Sequence, residues 1–207
     1  MTIFSYGKWN SCRGLACLAA LAMVFTLSCA SKPVKDYRLV AQGSLSASRV
    51  VIVNGVKVAA VYLDEKHLAE TLREKGYERL SNTLQELPLD YFLLTITNGA
   101  SLPVDFNPRE ANLMDGGWNN LSPVDFSDLY MLLPPGSGRK TVLQDLQKLT
   151  LNRVVRIKPG KTLEGMFLFQ RPESMGKNVI LALDGFYLDG KPLTVVLTFN
   201  AISREGE

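Results

Sequence analysis

The stretch Leu133-Pro-Pro-Gly-Ser-Gly-Arg-Lys-Thr141 comes nearest in this sequence to a phosphate-binding loop. Such a loop needs Gly, four residues, then Gly-Lys-Ser/Thr, so that backbone N–H groups and the lysine converge on phosphates. Here Arg139 separates Gly138 from Lys140, and Leu133 stands where the first glycine belongs. The segment therefore reads as an exposed loop opening a helix, and no nucleotide is expected. His67 is the single histidine, which excludes a His-pair metal site and leaves one candidate base. Flanked by Asp64, Glu65 and Lys66, it reads as a solvated helix-face residue without triad partners. No Gly-x-Ser-x-Gly stretch supplies an activated serine.

Aspartates 105, 115, 125, 128, 184 and 189 lack the alternating spacing of a calcium loop, and most sit beside Gly, Pro or Asn, where Asp shapes turns. Met114, Met131, Met166 and Met175 lack the Met-x-x-Met spacing of a copper site. Core filling accounts for Met166 and Met131. Trp118, Tyr130 and Tyr187, with the apolar run Leu129 to Pro135, offer surface on a long connection, where partners often dock; plugging one end of the fold is the alternative. No catalytic residue, metal ligand or cofactor site is assigned, and the chain reads as non-enzymatic.

The first 28 residues carry Lys8 and Arg13, no acidic residue, and the uncharged run Gly14 to Leu27. A basic front, an apolar middle and small residues before a cut make an export signal. As a helix this run spans about 21 Å, short of the roughly 30 Å hydrocarbon core, which disfavours a permanent span. Phe25-Thr26-Leu27-Ser28-Cys29-Ala30 resembles the lipobox of bacterial lipoprotein signals, with Thr26 where that pattern prefers Leu. The resemblance implies cleavage before Cys29 and attachment to membrane lipid through the acylated Cys29. It also implies the outer membrane facing the periplasm, because Ala30 rather than Asp follows the cysteine. Cys12 and Cys17 fall in the expected signal, so Cys29 is the only cysteine of the expected mature chain and no intrachain disulfide stabilises it.

Removing 28 of 207 residues leaves 179, with 21 basic and 20 acidic side chains. That near balance, and the absence of aromatic residues interleaved with basic runs, argue against nucleic-acid binding. Residues 29–47 read as the lipidated cysteine and a polar tether, with an edge strand at Tyr37, Leu39 and Val40 as the alternative.

Residues 48–207 read as one β-rich domain. Val50 to Val53, Asn54-Gly55 and Val56 to Leu63 form a hairpin pattern on a tight turn. Asp64 caps a helix carrying Leu68 and Leu72 and stopped by Gly76, and a second short helical stretch ends at Pro88. Strands follow at Tyr91 to Thr97, Val154 to Ile157, Thr162 to Gln170, Val179 to Phe186 and Leu193 to Phe199, with Leu102 to Met114 irregular. Pro123 to Leu133 and Lys140 to Leu149 look helical, the latter placing Val142, Leu143, Leu146 and Leu149 on one face. About eight short strands with regular turns predict a β-sandwich, with a barrel as the alternative.

The succession YFLLTITNGASLPVDF, an Asp-Gly turn, IKPGKTLEGMFLFQRP and a last apolar strand pair resembles the immunoglobulin-like domains of bacterial envelope lipoproteins. That resemblance implies an immunoglobulin-like β-sandwich with short connecting helices. The expected function is a lipid-anchored envelope protein with an interaction or structural role toward another envelope protein. A small-ligand or metal-binding accessory lipoprotein is the alternative.

Overall fold

A computed structural model describes residues 36–43, 46–117, 119–136 and 138–204. The expected signal, Cys29 and Trp118 lie outside the described residues. Among the described residues eleven strands form two antiparallel sheets, joined by short helices.

The smaller sheet runs β2 (Ser48–Val53), β3 (Val56–Leu63), β4 (Leu89–Asn98), β9 (Thr162–Gln170). Its first hairpin closes on Asn54 and Gly55, both at positive φ, 50° and 81°. This is the left-handed pair that a two-residue hairpin loop demands. The larger sheet runs β1 (Tyr37–Ala41), β11 (Lys191–Ser203), β10 (Asn178–Leu188), β5 (Val104–Phe106), β8 (Val155–Ile157). In it β6 (Ala111–Asp115) also pairs with β10, and β7 (Asn120–Leu121) pairs with β6. β5 and β6 share one side of β10, divided by a register shift between Leu183 and Phe186. At that irregularity Asn107 N–H donates to Gly185 O at 2.7 Å. A Cβ on Gly185 would fall 2.0 Å from Asn107 O, so only glycine fits.

Residues Tyr37–Ala41, inside the stretch read as tether, form β1 and pair with β11 from Tyr37↔Ser203 to Ala41↔Phe199. Leu39 and Val40 are consecutive yet both buried, so both faces of this strand are covered, which a solvated linker does not achieve.

Strand alternation on β4 divides the interior. Phe92, Leu94 and Ile96 join the core between the sheets, where Phe92 meets Phe199 of the opposite sheet edge-on at 5.5 Å. Leu89, Tyr91 and Leu93 face a second apolar cluster with Met166 and Leu168 of β9. Helices cover that second face: α1 (Glu65–Glu74), a 3-10 turn at Glu78–Leu80, α2 (Ser81–Gln85), α3 (Phe126–Leu132) and α4 (Arg139–Leu149). The smaller sheet is thus buried on both sides over much of its area. The local stops are those the sequence announces. Asp64 accepts from His67 N–H at 2.9 Å, and Gly76 at φ 76° ends α1 while Tyr77 N–H reaches back to Leu72 O. The expected helix from Pro123 begins only at Phe126, because Asp125 and Asp128 form a reciprocal capping box. Among the described residues no helix is long and apolar enough to cross a membrane.

Candidate functional site

Two groups of side chains carry polar chemistry at opposite ends of the same strand. Asp90, at the start of β4, has no exposed surface although its neighbours are apolar. Its Oδ2 accepts the Tyr37 hydroxyl at 2.5 Å, and its Oδ1 accepts the Tyr62 hydroxyl and Arg171 Nε, both at 3.0 Å. Arg171 Nη2 also donates to the Tyr62 oxygen at 3.3 Å, and its guanidinium stands 6.0 Å over the Tyr37 ring. One carboxyl therefore ties together β1, β3, β4 and the residue after β9. Burial, reinforced by Asp90, pushes the Tyr37 and Tyr62 hydroxyls well above the usual tyrosine range. Arg171 is held above its ordinary value: burial works against the charge, but Asp90 and the tyrosine oxygens outweigh it. With Asp90 sealed inside, this cluster does not present its carboxyl to a reacting molecule. It is an ion pair whose carboxylate is fully buried and whose guanidinium is one third exposed, and it fastens β1 to the rest.

Eight residues on, Asn98 closes the other end on the same strand face, also without exposure. Its Nδ2 donates to Leu102 O and Ile157 O at 2.9 Å, and its Oδ1 accepts Ala100 N–H at 3.0 Å. Ile157 belongs to the larger sheet, so this one amide stitches the two sheets.

The surface feature best suited to binding is a groove of about 520 Å³ between α3 and α4, lined by Phe126, Tyr130 and Leu143 together with Arg139 and Lys140. Leu129 and Leu133, one helical turn apart, anchor α3 inward. Tyr130 and Met131 consequently point out, 52% and 79% exposed. Met131 is thus no core residue, contrary to the sequence expectation, since it lies across α3 from that inward pair. The Arg139 guanidinium lies 3.8 Å from the Tyr130 ring centre, and its Nε is buried without a hydrogen-bond partner. A cleft of about 780 Å³ with mixed polar and apolar lining continues along α4 past Gln144 and Gln147 to Thr150 and Glu164.

The other sequence candidates separate. Tyr187 sits on β10, donating to Glu110 at 2.8 Å, and does not join Tyr130. His67 is an exposed residue on α1, its ring nitrogen 2.7 Å from Asp64. Burial of Asp64 opposes its charge, but the hydrogen bonds from His67 hold its carboxyl below the usual range. Asp115 folds its own turn, accepting from Gly117 N, Asn119 N, Asn119 Nδ2 and Gly176 N. Asp125 and Asp128 cap α3, Asp189 occupies a positive-φ turn at 52°, Asp184 is exposed beside the β10 irregularity, and Asp105 faces Arg156 at 3.8 Å. Among the described residues no three His, Cys, Asp or Glu side chains converge as a metal site would require. The Leu133 to Thr141 stretch is a loop opening α4 at Arg139. Asp90, Arg171 and Asn98 escape sequence reading; the available signal is that Asp90 is the one charge in strand Leu89–Asn98.

No protein-family model matches the chain. No curated protein matches it at a significant level. Solved structures show distant similarity. The yjhA protein of Bacillus subtilis is 11% identical over 66% of this chain and 78% of its own, with a TM-score of 0.38. The putative ApaA protein of Bordetella pertussis is 14% identical over 84% of this chain and 100% of its own, with a TM-score of 0.30. A functionally unknown protein from Listeria monocytogenes EGD-e is 12% identical over 81% and 89%, with a TM-score of 0.34.

Proposed function

We propose that this chain is an envelope lipoprotein, anchored through Cys29 and facing the periplasm from the outer membrane, whose immunoglobulin-like domain docks another envelope protein and catalyses no reaction. The observation that carries the reading is the outward display of Tyr130 and Met131 beside Arg139, on a helix pair whose inner face is firmly buried. Large apolar side chains held out from a rigid support are what a partner's surface desolvates at the centre of an interface. The charges of Arg139 and Lys140 in the groove lining select a partner patch that is apolar with acidic groups beside it. The two antiparallel sheets support the immunoglobulin-like assignment at the level of layers.

Two measurements test the reading separately. Cys29→Ser should move the protein from the membrane to the soluble fraction, and retention at the membrane refutes the anchor. A photo-crosslinking residue at position 131 should give one discrete adduct that Arg139→Glu abolishes. If position 131 gives no adduct while the protein remains folded, the docking face is elsewhere.

A further inference from the structure

The edges of the two sheets are not protected alike. β8 has three residues, and β1 has four of its five residues buried. β9 is flanked by bridges at Pro123 and Thr150, with Val124 N–H and Leu151 N–H bonded to its carbonyls. β2 is six residues long, contains no proline, and alternates exposed and half-buried, with Val50 and Ile52 at 47% and 68% exposure. Among the described residues β2 pairs with β3 alone, and a long apolar edge of this kind is a template for another strand.

We propose that β2 is a homodimer interface, pairing antiparallel with β2 of a second copy about a two-fold axis at Val51. The hydrogen-bonding direction of each residue fixes which registers are allowed. Val53 and Val56 close the two-residue Asn54-Gly55 loop, so they form a hydrogen-bonded pair, and such pairs recur at every second residue. Residues 53, 51 and 49 therefore bond toward β3, consistent with Tyr62 N–H donating to Ala47 O at 2.9 Å. Val50 and Ile52 are left with N–H and C=O directed outward, while Ser48 N–H on the same side donates to Ser46 Oγ at 3.1 Å. A two-fold at Val51 sets Val50 opposite Ile52 of the second copy, and Ile52 opposite its Val50. Each of these is an outward-bonding pair, and each places apolar against apolar on the exposed face. Arg49 meets Val53, so no like charges oppose. A two-fold at Val50 would set the polar Ser48 against Ile52, wasting the most exposed apolar side chain of the strand. The strip is thus its own complement, which an isologous contact requires.

One short strand pair buries less than the roughly 1,200 Å² of a typical stable interface, so the dimer is weak and concentration-dependent. Two variants separate the interface from the fold. Ile52→Pro removes an N–H that the β2–β3 ladder does not use; it should preserve the circular dichroism spectrum and make the full chain monomeric in detergent at every concentration. Val51→Cys should give an oxidised dimer more efficiently than Val50→Cys, because position 51 faces itself across the axis. Association unchanged by Ile52→Pro, or a full chain monomeric at the highest attainable concentration, overturns the proposal. Better crosslinking at 50 than at 51 overturns the register.

Discussion

Replacing Asp90 by alanine tests whether the buried carboxyl is what fastens the first strand. The side chain has no solvent contact, so its removal leaves the Tyr37 and Tyr62 hydroxyls without their acceptor inside the core. Each orphaned buried donor costs about 1 to 3 kcal/mol. Arg171 also loses its partner, but its side chain is 33% exposed and water can reach it, so its share is the smallest. The two hydroxyls together make the loss about 2 to 6 kcal/mol, which brackets the roughly 3 to 5 kcal/mol for breaking a buried pair from one side. Arg171→Ala should cost a similar amount, because it strands the carboxyl with two neutral hydroxyls. The double variant removes both charges and should fall short of the summed single losses by about 1 to 3 kcal/mol. Urea unfolding followed by circular dichroism supplies all three values. Additive single losses, or an Asp90→Ala loss under about 1 kcal/mol, would refute the account of a single coupled network.

Two further predictions rest on single groups. The Tyr37, Tyr62 and Tyr91 hydroxyls are raised above the ordinary tyrosine value of 10.0, chiefly by burial. Their contribution is therefore complete below pH 10.0 and is lost as pH rises, because the unfolded chain releases these protons first. Stability should fall by about 1.4 kcal/mol per pH unit for each tyrosine, and Tyr37→Phe should lessen that slope by one share in alkaline urea titrations. Gly185→Ala should cost about 1 to 3 kcal/mol, because Asn107 O must be driven away, and should lower Tm in a thermal melt.

Legibility followed the range of the interactions. The β2–β3 hairpin, the Asp64 cap, the Gly76 stop and the bounds of β9 are written in residues a few positions apart, and the structure has them at those places. β1 was legible only as an alternative to tether, since its pairing partner lies at the far end of the chain. Asp90 was not legible as a site, because its four-element network draws Tyr37, Tyr62 and Arg171 from distant positions. The outward turn of Met131 depends on which face of a seven-residue helix meets the smaller sheet, and composition does not state that. Tyr130 was singled out from its apolar surroundings, but its company was not, because Tyr187 belongs to the other sheet and Arg139 to the next helix.

The pairing of β1 with β11 makes the described domain, from Tyr37 to Ser203, a ring in all but a covalent bond. Tyr37 stands directly across from Ser203, so the first and last strands are neighbours, about 5 Å apart. Synthesis delivers β1 first, yet its ladder waits for β11, which makes this pairing the longest loop closure in the fold and a slow one. Joining residues near 36 and 204 by a short turn, and opening the chain at an exposed loop instead, would turn that last-formed contact into a local hairpin. The permuted protein should refold faster than the natural chain while keeping the same two sheets.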